Sequence, residues 1–230
     1  MQDLSRLQKT IGISFKNEEH LQQALVHRSY LNENPSFKLD HNERLEFLGD
    51  AVLELVVTEN LYNNYPNPEG ELTNWRAALV NAVNLAAIAH EIDLESSLYL
   101  SRGESKDTST KARNYILANA TEAVIGAIYI DQGYEGAKQF IEQWILTKLP
   151  TILEKKLYLD PKTKFQEAAQ EKISITPTYH VLKETGPDHK KEFTVGVYLD
   201  TEEVARGVGT SKQEAETDAA QNALKIKRWH

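Results

Sequence analysis

The sequence predicts an all-α domain followed by a small α+β domain of order α-β-β-β-α. Three observations carry that prediction. Apolar residues recur at three- and four-residue spacing through the first 150 or so residues, the mark of buried helical stripes. Beyond about residue 175 the period falls to two, as in half-buried strands. Charge also divides unevenly: residues 1–159 carry 15 Lys/Arg against 22 Asp/Glu, net −7, and residues 160–230 carry 11 against 12, net −1. The expected organisation is a helical domain over 1–150, a linker over 151–159 and the α+β domain over 160–228, with the boundary near Tyr158.

Within the helical domain, a first stripe runs Leu45, Leu48, Val52, Leu55, Val56, and a second Trp75, Ala78, Leu79, Ala82, Ala86. A third runs Ile116, Ala120, Ala123, Val124, Ala127, and a fourth Ala137, Ile141, Trp144, Ile145. Breakers separate them: Asn34-Pro35, the Pro66–Gly70 stretch, Ser101-Arg102-Gly103 and Gln132-Gly133. The polar stretch Glu104–Ala112 reads as an exposed loop. In the small domain a short helix is apolar at Phe165, Ala168, Ala169 and Ile173. Strands follow at Tyr179–Lys183, Phe193–Leu199 and Glu203–Val208. A last helix, capped by Thr210 or Ser211, buries Ala215, Ala219, Ala220, Ala223 and Leu224. Trp75 and Trp144 read as core, and Trp229 as a frayed end.

Composition excludes several classes. With no cysteine there is no disulfide, zinc–thiolate site or thiol chemistry. The N-terminal stretch lacks the apolar segment of a signal peptide, and no run reaches the ~18 apolar residues of a membrane span. A soluble cytoplasmic protein with no membrane partner is expected. A net charge of −8 speaks against a nucleic-acid partner unless something specific overturns it.

The specific feature is acidic. In HNERLEFLGDAVLEL, residues 41–55, Glu43, Glu46 and Asp50 share one helix face, three and four apart. Like charges so placed repel, and a divalent cation offsets the repulsion. Gly49 in the same helix costs stability and points to close backbone approach. In ILANATEAVIGAIYI, residues 116–130, Asn119 and Glu122 share a face opposite Ala120, Val124 and Ile128. Facing helices bearing Glu46, Asp50, Asn119 and Glu122 offer only hard oxygen donors, which suit Mg²⁺ or Mn²⁺. Either pair alone also reads as a solvated helix face. A di-iron bundle needs Glu-x-x-His motifs, and no histidine here follows a Glu by three. His27 and Arg28 read as structural, and His41 as an exposed turn residue.

These runs resemble the ribonuclease III family of double-stranded-RNA endonucleases. HNERLEFLGDAV resembles its signature, ALVHRSY (24–30) its ALTHRSY-type helix end, and EGELTNWRAALV (69–80) its EGxLxxxRAxLV stretch. ILANATEAVIGAIYIDQG (116–133) resembles its second catalytic helix. DPKTKFQEAAQ, PTYHV, GPDHKKEFTV and GVGTSKQEAETDAAQNAL resemble a double-stranded RNA-binding domain. The match covers nearly the whole chain.

The resemblance implies an all-α endonuclease domain followed by a double-stranded RNA-binding domain. It implies metal ligands at Glu46, Asp50, Asn119 and Glu122, with Asp50 and Glu122 catalytic and Glu43 and Glu69 in support. For the second domain it implies RNA contacts from Thr163, Gln166, Glu167 and Gln170, from the loop Pro187, Asp188 and His189, and from Ser211 and Lys212 at a helix start. Two departures stand out: Asn119 where the family usually has Asp, and Gln213 where it often has a second basic residue. The implied activity is hydrolysis of phosphodiesters in double-stranded RNA. The nucleophile is a water on Mg²⁺, with Mn²⁺ a possible substitute. The products carry 5′-phosphate and 3′-hydroxyl ends, and the substrates include ribosomal RNA precursors. The implied assembly is a homodimer with no small-molecule cofactor. The alternative is a duplex-RNA-binding protein that cleaves weakly or not at all because of Asn119.

Overall fold

In the computed structural model, which describes residues 4–106, 110–187 and 191–229, helices fill the chain to Glu154 and a helix-flanked sheet follows. Contacts divide the chain into two units, residues 1–154 and 155–230. The first unit comprises α1 (Ser5–Ile11), α2 (Glu18–Ala24), α3 (Arg28–Glu33), α4 (Glu43–Asn64), α5 (Glu69–Val80), α6 (Ala82–Glu91), α7 (Arg102–Lys106), α8 (Thr110–Trp144) and α9 (Leu149–Glu154). No helix among the described residues is long and apolar enough to cross a membrane.

The long helices α4 and α8 pack along each other, and α2 and α6 close over α8. Leu45, Val52, Leu53, Val56, Val57 and Leu61 of α4 are buried, as are Leu117, Ala120, Val124, Ile125 and Ile128 of α8. The predicted α4 stripe is therefore rotated. α4 meets α8 through Gly49, which brings Leu53 inside and leaves Leu55 57% exposed on the far side with Phe47 (81%) and Tyr62 (79%).

The second predicted stripe is two helices. Asn81 lies between them in extended conformation, and its side chain accepts the Asn84 N–H as the cap of α6. The expected loop Glu104–Ala112 is largely helical. Arg113 ties it down, donating from Nε to Glu95 at 2.7 Å and from Nη1 to the Glu104 carbonyl at 3.2 Å. Residues 107–109 of that stretch lie outside the described residues. The break at Gln132-Gly133 is present as a kink, with Gly133 at φ 75°.

The second unit runs α10 (Pro161–Ile173), β1 (Thr178–Thr185), β2 (Glu192–Leu199), β3 (Glu202–Gly209) and α11 (Lys212–Lys227). The strands form one antiparallel sheet in sequence order. Asp160 caps α10, accepting the N–H groups of Lys162 and Thr163, and Ser211 caps α11. Phe165 and Ala169 pack with Val197, Leu199, Val204, Ala205, Ala219, Ala220 and Ala223. α11 lies so close to β3 that a methyl on Gly207 would overlap the backbone of Ala215 and Ala219. Strand β1 does not keep its period of two. β1 is an edge strand and α11 packs on β2 and β3, so Val181 and Leu182 are exposed and only Tyr179 reaches the core; a bulge lies between Val181 and Lys183. Trp229 is not frayed: its ring stacks on Phe165 with centroids 5.4 Å apart.

Candidate active site

Gly49 of α4 and Gly126 of α8 form the crossing point of the first unit. A methyl at Gly49 would overlap the Glu122 carbonyl, and one at Gly126 the Leu45 carbonyl. The two backbones touch because neither residue has a side chain there. Side chains near the crossing are thereby forced into one another's field: Glu46 and Asp50 from α4, Asn119 and Glu122 from α8.

The electrostatics follow from that crowding. Burial raises the Glu46 carboxyl above its ordinary value, and the charges of Glu43 and Asp50 add to the rise. The side-chain amide of Asn119 donates to Glu46 and opposes it. Burial pushes Glu122 up to about 7, helped by the charges of Asp50, Glu46 and Glu54. A divalent cation among these oxygens would relieve the repulsion, and hard carboxylate and amide donors fit such an ion. Among the described residues, no three acidic or histidine side chains already stand as a finished metal-holding group. The fit rests on donor chemistry and shared repulsion.

The outer acidic residues have partners. Glu43 lies 3.4 Å from Arg28 and 3.8 Å from His41. Glu69 opens α5, accepts the Thr73 hydroxyl at 2.8 Å, and lines a groove of about 550 Å³ with Thr58, Tyr62 and Arg76. It is not among the main charges acting on Glu46 or Glu122. Sequence reasoning passed over Glu54, although it follows Asp50 by four residues on the same face. It also passed over Gly126, whose small size inside an apolar stripe was the available signal. His27 has a structural role: its Nδ1 caps α3, accepting from the Ser29 N–H, with the Ser29 hydroxyl at 2.8 Å. Burial lowers its pKa, which keeps that acceptor neutral.

In the second unit Gln166, Glu167 and Gln170 are exposed on α10, on the side away from Phe165 and Ala169. Thr163 is half-buried and donates its hydroxyl to Asp160 at 2.5 Å. Gln170 donates to Thr176 at 2.6 Å. Ser211 serves as the α11 cap, and the Lys212 ammonium lies 5.9 Å over the Phe193 ring. Pro187 is exposed, while Asp188 and His189 lie outside the described residues. Several cations of this unit are matched internally: Lys162 with Glu216 at 2.6 Å, Lys191 with Glu184 at 2.8 Å, Arg206 with Glu203 at 2.6 Å and Lys227 with Glu202 at 2.9 Å.

A family model described as ribonuclease-III-like matches residues 17–149, and one for the double-stranded RNA binding motif matches residues 161–227. The chain is 40% identical over 226 residues to a protein named ribonuclease 3 from Dehalococcoides mccartyi, covering 97% of this chain and 94% of that one. It is 43% identical over 224 residues to the ribonuclease 3 of Chloroflexus aggregans, covering 96% of each. Among solved structures it is similar to the nuclease domain of ribonuclease III from Campylobacter jejuni, at TM-score 0.57 and 37% identity. That match covers 64% of this chain and 99% of the other, whose reported feature is flexibility in a region involved in dimer formation.

Proposed function

Because the chain belongs to the ribonuclease III family, we propose that its helical unit cuts double-stranded RNA at the carboxylates gathered by the α4–α8 crossing, with Mg²⁺ as their cation. The protein is a double-stranded-RNA-specific endoribonuclease of a divalent-metal-dependent family, and its second unit carries the double-stranded RNA-binding motif. The observation that carries the site reading is the shared field of Glu46, Asp50 and Glu122, in which the main charges acting on each raised carboxyl are negative. Glu46, Asp50, Asn119 and Glu122 would hold the cation, and Mn²⁺ can replace Mg²⁺ there. When bound, the ion activates water toward phosphorus and neutralises charge on the reacting phosphate. Asn119 holds the Glu46 carboxylate in place through its amide N–H. Water attack leaves 5′-phosphate and 3′-hydroxyl ends.

The exposed face of α4, with Phe47, Leu55 and Tyr62, supports a homodimer in which that face meets its copy about a two-fold axis. Each acidic site then serves one strand of the duplex. The second unit reads A-form shape across about 16 base pairs. Ribosomal and messenger RNA precursors are the substrates, and the cytoplasm is the place of action. The binder-only alternative is not favoured, given a nuclease match over residues 17–149.

The test is cleavage of a labelled RNA duplex with and without Mg²⁺. Glu122→Gln should lower the cleavage rate at least about 100-fold while RNA affinity stays within about twofold. Retained cleavage removes Glu122 from the site. A parent protein that shifts the duplex on a gel but never cuts it, at any Mg²⁺ concentration, restores the binder-only reading.

A further inference from the structure

An acidic catalytic unit that must receive a polyanion needs a cation close to its carboxylates. The strongest charges on Glu46 and Glu122 are all negative. Two arginines pair with the acidic residues at the ends of that face of α4, Arg28 with Glu43 and Arg76 with Glu54. They are held in contrasting ways. At the far end Arg76 of α5 is 34% exposed and anchored at two points, with Nε 2.8 Å from Glu54 and Nη1 donating to Thr58 at 2.9 Å. At the near end Arg28 of α3 is 69% exposed and touches Glu43 at one point, 3.4 Å away. A single exposed contact of that length is weak and easily exchanged.

The backbone that presents Arg28 is fixed. The His27 N–H donates to the Tyr99 carbonyl at 3.1 Å, and the Asn42 N–H donates to the Val26 carbonyl at 2.9 Å. The Asn42 side chain, itself buried, donates to the Ala24 carbonyl at 3.1 Å. The Ser101 N–H donates to the Ser29 hydroxyl at 3.1 Å. These bonds tie the start of α3 to the start of α4, so Arg28 stands beside Glu43, one turn from Glu46. A rigid base with a loosely held guanidinium is suited to binding phosphate in two-pronged fashion.

We propose that Arg28 is a substrate-positioning residue of the catalytic unit, which exchanges Glu43 for a backbone phosphate of the bound RNA strand beside the scissile bond. The inference rests on the acidic cluster being the cleavage site. Arg76, with its two anchors, stays on Glu54 and serves to hold α5 against α4.

The experiment compares the full-length parent with Arg28→Gln, Arg28→Lys and Arg76→Gln. Cleavage of a short RNA duplex in saturating Mg²⁺ is followed over a range of KCl concentrations, with a thermal melt of each variant alongside. Arg28→Gln should raise KM roughly three- to tenfold with kcat within about twofold, and should make the slope of log(kcat/KM) against log[salt] shallower by about one. Arg28→Lys keeps the charge and should restore the slope. Arg76→Gln should lower the melting temperature and leave the slope alone. Duplex affinity in the Glu122→Gln background should repeat the Arg28 effect with no chemistry involved. An Arg28→Gln slope equal to the parent's overturns the proposal, whatever happens to kcat or melting. So does an equal slope change in Arg76→Gln, because the effect is then not particular to Arg28. Failure of the cleavage-site reading shows separately, in a parent that does not cut or in a Glu122→Gln variant that does.

Discussion

Burial and three neighbouring carboxylates raise Glu122 to about 7, so its proton is held more tightly in the folded chain than in the unfolded one. The unfolded state releases that proton near pH 4.5, so metal-free stability should fall as pH rises from about 4.5 to about 7. In chelator at pH 8, Glu122→Gln should therefore melt a few degrees higher than the parent, corresponding to about 1–2 kcal/mol after solvent screening. Below pH 4.5 the two should converge. Asn119 acts in the same field with the opposite sign, because its amide donates to Glu46. Asn119→Asp replaces that bond with repulsion and should lower the melting temperature in chelator. It should also lower the Mg²⁺ concentration at half-maximal cleavage severalfold, since an anionic oxygen captures Mg²⁺ better than an amide. Coincident Mg²⁺ titrations would remove position 119 from the ligand set. Spacing alone made Glu46 and Asp50 neighbours on one face. It could not show that the Asn119 amide acts on Glu46, nor that the charge of Glu54 acts on Glu122, because both depend on how the two helices cross.

That crossing belongs to the scale of elements. Gly126→Ala places a methyl against the Leu45 carbonyl, so α4 and α8 must move apart. The expected loss is about 3 kcal/mol, read by denaturant unfolding, with a higher Mg²⁺ requirement because the carboxylates separate with their helices. Gly70→Ala is the contrast: nothing lies near its added methyl, and stability should hold or rise slightly. Periodicity and breaker residues made most of the elements legible, including the break at Gly133 and the chain order of helices and strands in the second unit. They misplaced features decided by tertiary contact. Leu55 faces outward because Gly49 sets the rotation of α4, and the helical segment before α8 is held by Arg113, whose Nη1 donates to the Glu104 carbonyl. Strand β1 lost its alternation because it lies at the edge of the sheet, while α11 covers β2 and β3, a placement decided by tertiary packing.

At the scale of the molecule, each unit has its own core, and the second contains a complete sheet flanked by α10 and α11. Residues 155–230 should therefore fold alone and bind duplex RNA in preference to duplex DNA of equal length, as read by titration of labelled duplexes. Their salt dependence should be shallow, on the order of two to four phosphates neutralised. Equal affinity for the two duplexes would contradict the minor-groove reading.

The internal matching of Lys162, Lys191, Arg206 and Lys227 has a kinetic side. A cation already satisfied by a carboxylate gains less from a phosphate, so the complex of this unit with RNA should be short-lived. Differences in affinity of this kind appear mostly in the rate of departure. A cut product should then leave quickly. Supplying spare positive charge to this unit should lengthen each visit, and once product departure became the slow step, tighter holding would slow turnover.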